Sequence, residues 1–151
     1  MEILTFTSKL HQSSSLTTED RLFLNADERR RSFCRCVSDQ GKTIRVSLKR
    51  GTILQDGDIL LSEPDEAGEV HYITILARPE PVLTVTADSS LALLKAAYHL
   101  GNRHVPLEMT EAYLRLSPDP VLHNMLRTMP VTLTEAIAPF YPEAGAYHSH
   151  G

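Results

Sequence analysis

The sequence predicts an α+β fold with two domains and a short tail. Short segments in which apolar and polar residues alternate occupy the first half, whereas apolar residues at helical spacing begin only after residue 88. Hydrophobic residues make up 42% of the 151 residues, which is enough to build packed cores. We therefore expect a small all-β domain over residues 1–76, a mixed domain over 77–138 and a flexible, histidine-containing tail over 139–151.

The first half has the pattern of strands joined by glycine-containing turns. Between residues 43 and 48, aliphatic side chains alternate with polar ones, which is typical of a strand with one buried face. Turns are predicted at 39–41, 56–58 and 64–68, where aspartate and glycine occur together. Further strands are predicted at 33–37, 59–61 and 70–76, and no segment before residue 77 has the spacing of a helix.

A linker is predicted at Arg78-Pro79-Glu80-Pro81, because proline lacks the N–H group that strand pairing needs. Beyond it, strands and helices alternate. Asp88, Ser89 and Ser90 are candidate N-caps of a helix that runs to about Leu100 and stops at Gly101. Asp119-Pro120 begins a second helix, with the proline in its first turn. Strands are predicted at 82–86, 105–109, 112–116 and 131–134.

This order of elements is the ferredoxin-like βαββαβ arrangement. In its first helix, two apolar stripes run side by side: Leu91, Leu94 and Tyr98 share one face, next to Leu93, Ala97 and Leu100. Residues from Pro139 onward have no core pattern, so we expect them to contribute nothing to a core.

Charge and the ends of the chain limit the class of protein. The net charge of −4 argues against nucleic acid or an anionic membrane as the main partner. No apolar stretch approaches the roughly 20 residues of a spanning helix, and Met1-Glu2-Ile3-Leu4 lacks a signal-peptide pattern. We therefore expect a cytoplasmic protein. Cys34 and Cys36 are too close in sequence for an ordinary disulfide. We interpret them as two reduced cysteines on one face of a strand, and a metal-binding pair is the alternative.

Motifs for catalysis are missing from the sequence. It contains no CxxC or HxxxH metal pair, no phosphate-binding GxxxxGK[ST] loop, no GxSxG nucleophile elbow and no dinucleotide-binding glycine fingerprint. Glu108 and Glu111 lie near each other in sequence, but nothing marks them as an acid–base pair. We therefore do not expect an enzyme.

The histidines are the candidate functional residues, because imidazole is a frequent ligand of nickel, copper and zinc. His104 follows the Gly101-Asn102-Arg103 turn and is predicted to enter a strand. It is either a structural histidine or a metal ligand that needs a second copy of the chain across a twofold axis. His99 in the last helical turn fits the helix dipole, and His148 and His150 are either an inert tail or additional ligands. The scattered histidines, interpreted as surface or packing residues, are His11, His71 and His123.

Several runs in the sequence resemble the UreE family of urease accessory metallochaperones. The most specific is Gly101-Asn102-Arg103-His104-Val105-Pro106, and Leu48–Thr52, Leu54–Leu60, Met125–Arg127 and Pro142–Tyr147 are also similar. The resemblance implies a β domain that binds peptides or partner proteins, followed by a ferredoxin-like metal-binding domain. It also implies a homodimer in which His104 of each subunit shares one Ni²⁺, supplemented by His148 and His150. Independently of the resemblance, His99 is either a surface histidine or a further candidate ligand.

The function implied by this resemblance is delivery of Ni²⁺ to apo-urease while its active site is assembled, in a complex with accessory proteins that include the urease GTPase UreG. Cu²⁺ or Zn²⁺ can compete for the same imidazoles, because ligand type alone does not exclude them. One alternative is a partner-binding adaptor of a urease assembly complex whose metal binding is incidental. A metal-dependent hydrolase is the other, and it would need a carboxylate base that no motif provides.

Overall fold

The structure of the chain is a computed structural model that describes residues 2–10 and 17–143. Contacts divide the chain into two compact units, Met1–Arg78 and Pro79–Gly151. The first unit is built on a sheet of six strands and the second on a sheet of four strands with two helices. The fold class is therefore α+β, with a β-rich unit followed by an α/β unit, as predicted.

Among residues 2–10 and 17–78, the first unit contains one short helix between its strands. The six strands are arranged in the order β2-β6-β5-β1-β4-β3. Two neighbouring pairs, β1 with β4 and β2 with β6, are parallel and join segments far apart in sequence. The elements are β1 (Thr5–Leu10), β2 (Asp20–Leu24), α1 (Ala26–Arg29), β3 (Phe33–Val37), β4 (Thr43–Ser47), β5 (Ile59–Ser62) and β6 (Tyr72–Ala77).

Alternation along the strands places the core of this unit on one face of the sheet. In β4, Ile44 and Val46 are buried, whereas the residues between and beside them are exposed. Cys34 and Cys36 lie opposite Val46 and Ile44 on β3 and pack against the same core. The core is completed by Phe6, Leu22, Leu24, Leu54, Leu60, Ile73 and Ile75.

The prediction that the first half has no helix is wrong at α1. Asn25 caps this single turn: its side chain accepts from the Glu28 amide at 2.8 Å, and the Glu28 carboxylate accepts from the Asn25 amide at 2.9 Å. This reciprocal capping box satisfies two backbone N–H groups without any apolar repeat. Four residues are too few to show a helical period, so spacing could not reveal them.

The second unit has the predicted βαββαβ order. Its sheet has the strand order β10-β7-β9-β8, with all neighbouring pairs antiparallel, which is the ferredoxin-like arrangement. Ser89 and Asp119 cap the two helices, as their positions in the sequence predicted. The elements are β7 (Glu80–Thr86), α2 (Ser90–Asn102), β8 (Glu108–Met109), β9 (Leu114–Leu116), α3 (Pro120–Arg127) and β10 (Thr132–Ala138).

Several boundaries of this unit differ from the prediction: β9 begins at Leu114, two residues later than predicted, and β10 continues to Ala138, four residues further than predicted. The linker does not include Glu80 and Pro81, which pair with Ala138 and Ile137 at the start of β7. Proline is tolerated there because β9 pairs with β7 only from Leu83 onward, so the missing N–H group interrupts no bond on that side. Residues 105–107 are not in a strand, since β8 begins only at Glu108.

Packing against the sheet distinguishes the two apolar stripes of α2. Leu93, Ala96 and Leu100 are buried. Leu91 and Leu94 are 58% and 66% exposed, and Tyr98 is 65% exposed. We call Leu91, Leu94 and Tyr98 the outer stripe of α2. Within residues 2–10 and 17–143, no helix is both long and apolar enough to cross a membrane.

Candidate metal site

His104 lies in the turn that ends α2, and its backbone conformation is unusual. Its φ is +55°, and it is the only non-glycine residue with a positive φ among the described residues. The His104 amide donates to Gly101 O at 3.0 Å, and the Val105 amide donates to Leu100 O at 3.3 Å. These two bonds form a Schellman motif, in which His104 occupies the left-handed position usually taken by glycine.

This geometry corrects two predictions. Gly101 does not stop the helix, because it lies within α2 and has no positive φ; Arg103 is the C-cap. His104 does not start a strand. A non-glycine residue in the left-handed region costs roughly 1–2 kcal/mol. A strained residue of this kind is a recognised sign of a functional position.

The His104 residue is exposed and borders an open groove of about 430 Å³. Asp119 also lines this groove, but its Oδ1 already accepts the amides of Val121 and Leu122, at 2.8 and 3.1 Å, as the cap of α3. The main role of the Asp119 carboxylate is therefore to cap α3. The groove is lined by Arg103, His104, Val105, Pro106, Ser117, Pro118, Asp119, Val121 and Leu122.

His99 lies in the last turn of α2 and is exposed, with its ring edge-on to Tyr98 at a centroid distance of 5.4 Å. The Arg103 guanidinium donates to His99 O at 3.1 Å, so the backbone here is tied to the turn that carries His104. In the part of the chain that the structure describes, no group of three ligand-type side chains within 4.8 Å of one another includes His99 or His104. A metal ion at His104 therefore needs donors from outside this set.

The tail histidines His148 and His150 lie outside the described residues, but residues 140–143, the last ones described, are anchored close in sequence to His104. The Tyr141 amide donates to Glu108 Oε1, and the Glu143 amide donates to Leu107 O, both at 2.9 Å. Phe140 is buried, so the prediction that residues from Pro139 onward contribute nothing to a core is wrong for this residue.

Chain length allows the tail to return to His104. Leu107 follows His104 by three residues, at most about 11 Å along the chain, and His148 follows Glu143 by five residues, at most about 18 Å. Because Glu143 is bonded to Leu107, the length from Glu143 to His148 is sufficient to bring the tail imidazoles to His104. The buried Glu108 carboxylate supports this anchor and also accepts from the Tyr113 hydroxyl, a bond that raises the pKa of Tyr113.

A cluster that the sequence analysis missed lies in the first unit. His71, interpreted as a surface or packing residue, has its Nε2 2.8 Å from Asp65 Oδ2. Together with Glu69 these residues place three ligand-type atoms within 4.8 Å of one another. This bond, and the amides that Asp65 also accepts, lower the pKa of the Asp65 carboxyl. The signal in the sequence was an aspartate, a glutamate and a histidine around the Gly68 turn.

Cys34 and Cys36 are free thiols, as predicted, with their sulfurs 3.6 Å apart on β3. A hydrogen bond from Cys36 lowers the pKa of Cys34 to about 7. The same bond and partial burial raise the pKa of Cys36. The pair belongs to the core face of the sheet, and neither sulfur belongs to a group of three ligand atoms among the described residues.

Sequence comparison gives a consistent result for both units. Residues 2–71 match the N-terminal domain of the UreE urease accessory protein, and residues 80–151 match its C-terminal domain. A urease accessory protein UreE of a Nostoc species is 49% identical over 148 residues, which cover 98% of each chain. Those of Microcystis aeruginosa and Thermosynechococcus vestitus are 52% and 50% identical, over 98% and 85% of this chain and 95% and 87% of their own.

Proposed function

This chain belongs to the UreE family of urease accessory proteins, and from that premise we propose that it is a homodimeric metallochaperone that delivers Ni²⁺ to apo-urease. Family membership supports a role in the maturation of urease, not in catalysis. The single observation that carries the nickel proposal is the exposed His104, placed at a strained turn position where glycine is usual. Its imidazole is a suitable ligand for Ni²⁺.

In this proposal, a homodimer supplies ligands beyond those that the described residues of one chain bring together at His104. Since no group of three ligands surrounds His104 in the described residues, a second copy related by a twofold axis would contribute a second His104 to the same ion. The outer stripe of α2 supports such an interface, because it leaves three large apolar side chains exposed on the helix that leads to His104. His99, in the last turn of the same helix, is a further candidate ligand.

The remaining ligands in this proposal are His148 and His150. Two tails for each dimer bring four imidazoles to the neighbourhood of one ion, at a high effective concentration. Ligation by imidazoles and water permits exchange, which release to urease requires. Cu²⁺ and Zn²⁺ bind the same donors, so specificity for nickel would come from metal supply, geometry or partner proteins such as the GTPase UreG.

Activation of apo-urease tests the proposed function against the adaptor alternative. With the accessory proteins present and a weak chelator competing for metal, the Ni²⁺-loaded chain should give more active urease than the same total Ni²⁺ added without the chain. The reason is that nickel bound to a chaperone is protected from the chelator until it is transferred. The measurement is the rate of urea hydrolysis after a fixed activation time.

A metal-free chain, stripped by a chelator and then separated from it, is the matched control for that assay. In this control the only nickel available is that held by the competing chelator. If the stripped chain then raises activation as much as the loaded chain, the protein is an adaptor. If neither chain activates urease better than Ni²⁺ added without the chain, neither function stands.

Truncation after Ala146 should weaken Ni²⁺ binding by up to about a hundredfold without eliminating it, because the two His104 side chains remain. The truncated chain should remain a dimer, since Phe140 and the hydrogen bond from the Glu143 amide to Leu107 O are retained. Isothermal titration and sedimentation would measure the two quantities. A full-length chain with His148→Ala and His150→Ala is the control, and equal binding by all three chains would mean that the tail imidazoles are not ligands.

A further inference from the structure

We propose that Asp65, Glu69 and His71 form a second binding site for a divalent transition-metal ion, in the first unit and independent of His104. The site is built from one imidazole and two carboxylates on the loop between β5 and β6. It does not rest on the nickel delivery proposed above, because none of its ligands is in the second unit.

The distances suit an ion of small radius. His71 Nε2 and Asp65 Oδ2 are 2.8 Å apart, and the three ligand atoms all lie within 4.8 Å of one another. Two ligands at a right angle around an ion, each bound at about 2.1 Å, are separated by about 3.0 Å. An ion can therefore bind both atoms from one side of the line that joins them, in place of their hydrogen bond, with little change in the distance between them.

The loop is ordered by its own hydrogen bonds before any ion arrives. Asp65 Oδ1 accepts the amides of Ala67 and Glu69, both at 2.9 Å, which leaves Oδ2 directed to His71. The Asp65 amide donates to Glu69 O, and Gly68 supplies the positive φ of +82° that closes the turn.

The backbone beside the imidazole is also fixed. The His71 amide donates to Ser62 Oγ at 2.8 Å, and Ser62 is buried at the end of β5. These bonds set the positions from which the Asp65 and His71 side chains extend, so binding would require little reorganisation of the backbone.

Ligand chemistry narrows the choice of ion. Imidazole favours nickel, zinc and copper, whereas Mg²⁺ and Ca²⁺ prefer all-oxygen sites. Two carboxylates balance the charge of a divalent ion. The side chains of Asp65 and His71 are 17% and 39% exposed, and Glu69 is exposed, so an ion can enter from solvent. Three protein ligands leave positions for water, which makes the site open and exchangeable.

Metal titration of a chain that lacks the proposed second-unit ligands tests this site. The full chain with His99→Ala, His104→Ala, His148→Ala and His150→Ala should retain one Ni²⁺ or Zn²⁺ per protomer. Adding Glu69→Gln or His71→Gln should weaken that residual binding at least about tenfold, a loss of the size seen when support for a metal ligand is removed. Glu66→Gln is the matched control, because it removes the same charge from an exposed position on the same loop and should bind like its parent.

Amide spectra of the same chains locate the ion and check the fold. With substoichiometric Cu²⁺ as a paramagnetic probe, the amides of Ala67, Glu69 and His71 should broaden first in the parent and in the Glu66→Gln chain, but not in the Glu69→Gln or His71→Gln chain. Unchanged spectra without metal would establish that all variants are folded. The proposal is overturned if residual binding is absent from the parent, if it is equal in all four chains, or if broadening begins elsewhere. None of these results would bear on nickel binding by His104.

Discussion

Replacement of His104 by alanine should abolish the tightest Ni²⁺ site while leaving the chain folded. In a twofold dimer the substitution removes two ligands from one ion, so we expect the affinity to fall by at least about a hundredfold, beyond the loss caused by removing an outer-shell partner. His104 is exposed. The turn is held by backbone hydrogen bonds from His104 to Gly101 and from Val105 to Leu100, and neither bond requires an imidazole. Equilibrium dialysis with Ni²⁺ would measure the loss.

The His104→Gly variant separates the effect of losing the imidazole from the effect of straining the turn. Glycine adopts a φ of +55° without the steric cost that alanine has there, so this variant should be more stable than His104→Ala by about 1 kcal/mol. Both variants should bind Ni²⁺ equally poorly, and His99→Ala should keep most of the tight binding. One site per protomer, unaffected by either change at position 104, would contradict the shared site.

Leu94→Glu should dissociate the dimer and, with it, the shared metal site. Leu94 is the central residue of the outer stripe and is 66% exposed in the single chain. If the stripe packs against a second copy, a carboxylate there would be removed from water without a partner, which costs several kcal/mol. The buried residues of α2 are not altered, and glutamate is a good helix former, so the second unit should remain folded.

Sedimentation velocity and Ni²⁺ titration of the same samples measure the two consequences of Leu94→Glu. Both the dimer mass and the tight site should be lost together, because a single chain supplies only one His104. Ser47→Glu adds the same charge at an exposed position of β4 and is the control, which should behave like the unaltered chain. A Leu94→Glu chain that stays dimeric would place the interface elsewhere.

The elements that the sequence predicted well are those whose signals are local. The alternation around Ile44 and Val46 matches the burial of β4, and the caps Ser89 and Asp119 begin the helices where expected. Each of these signals depends on hydrogen bonds or side-chain periods within a few residues. Elements with weaker local signals were misjudged: α1 is a single turn, and β7 begins inside a proline-containing segment.

The candidate sites also differ in how much of each could be predicted from local signals in the sequence. The motif in the sequence singled out His104 as a candidate ligand. The sequence also predicted that Gly101 ends the helix, because glycine is the usual residue in the left-handed conformation after a helix. Only the backbone bonds of the folded chain place His104 itself in that position. Asp65 and His71 are separated by six residues and meet because the Gly68 turn folds the loop back, so the ligand-type residues around this turn became recognisable as a pair only in the folded loop.

By itself, the sequence determined the βαββαβ order, the β character of the first half and the identity of His104 as the foremost candidate ligand. The tertiary structure decided which stripe of α2 is buried, since Leu93 and Leu94 are equally apolar and differ only in the surface that each faces. It also decided the parallel pairing of β1 with β4 and of β2 with β6. The physical reason is that a periodic pattern fixes the spacing of apolar residues within one element, whereas the choice of partner depends on contacts between segments that are distant in sequence.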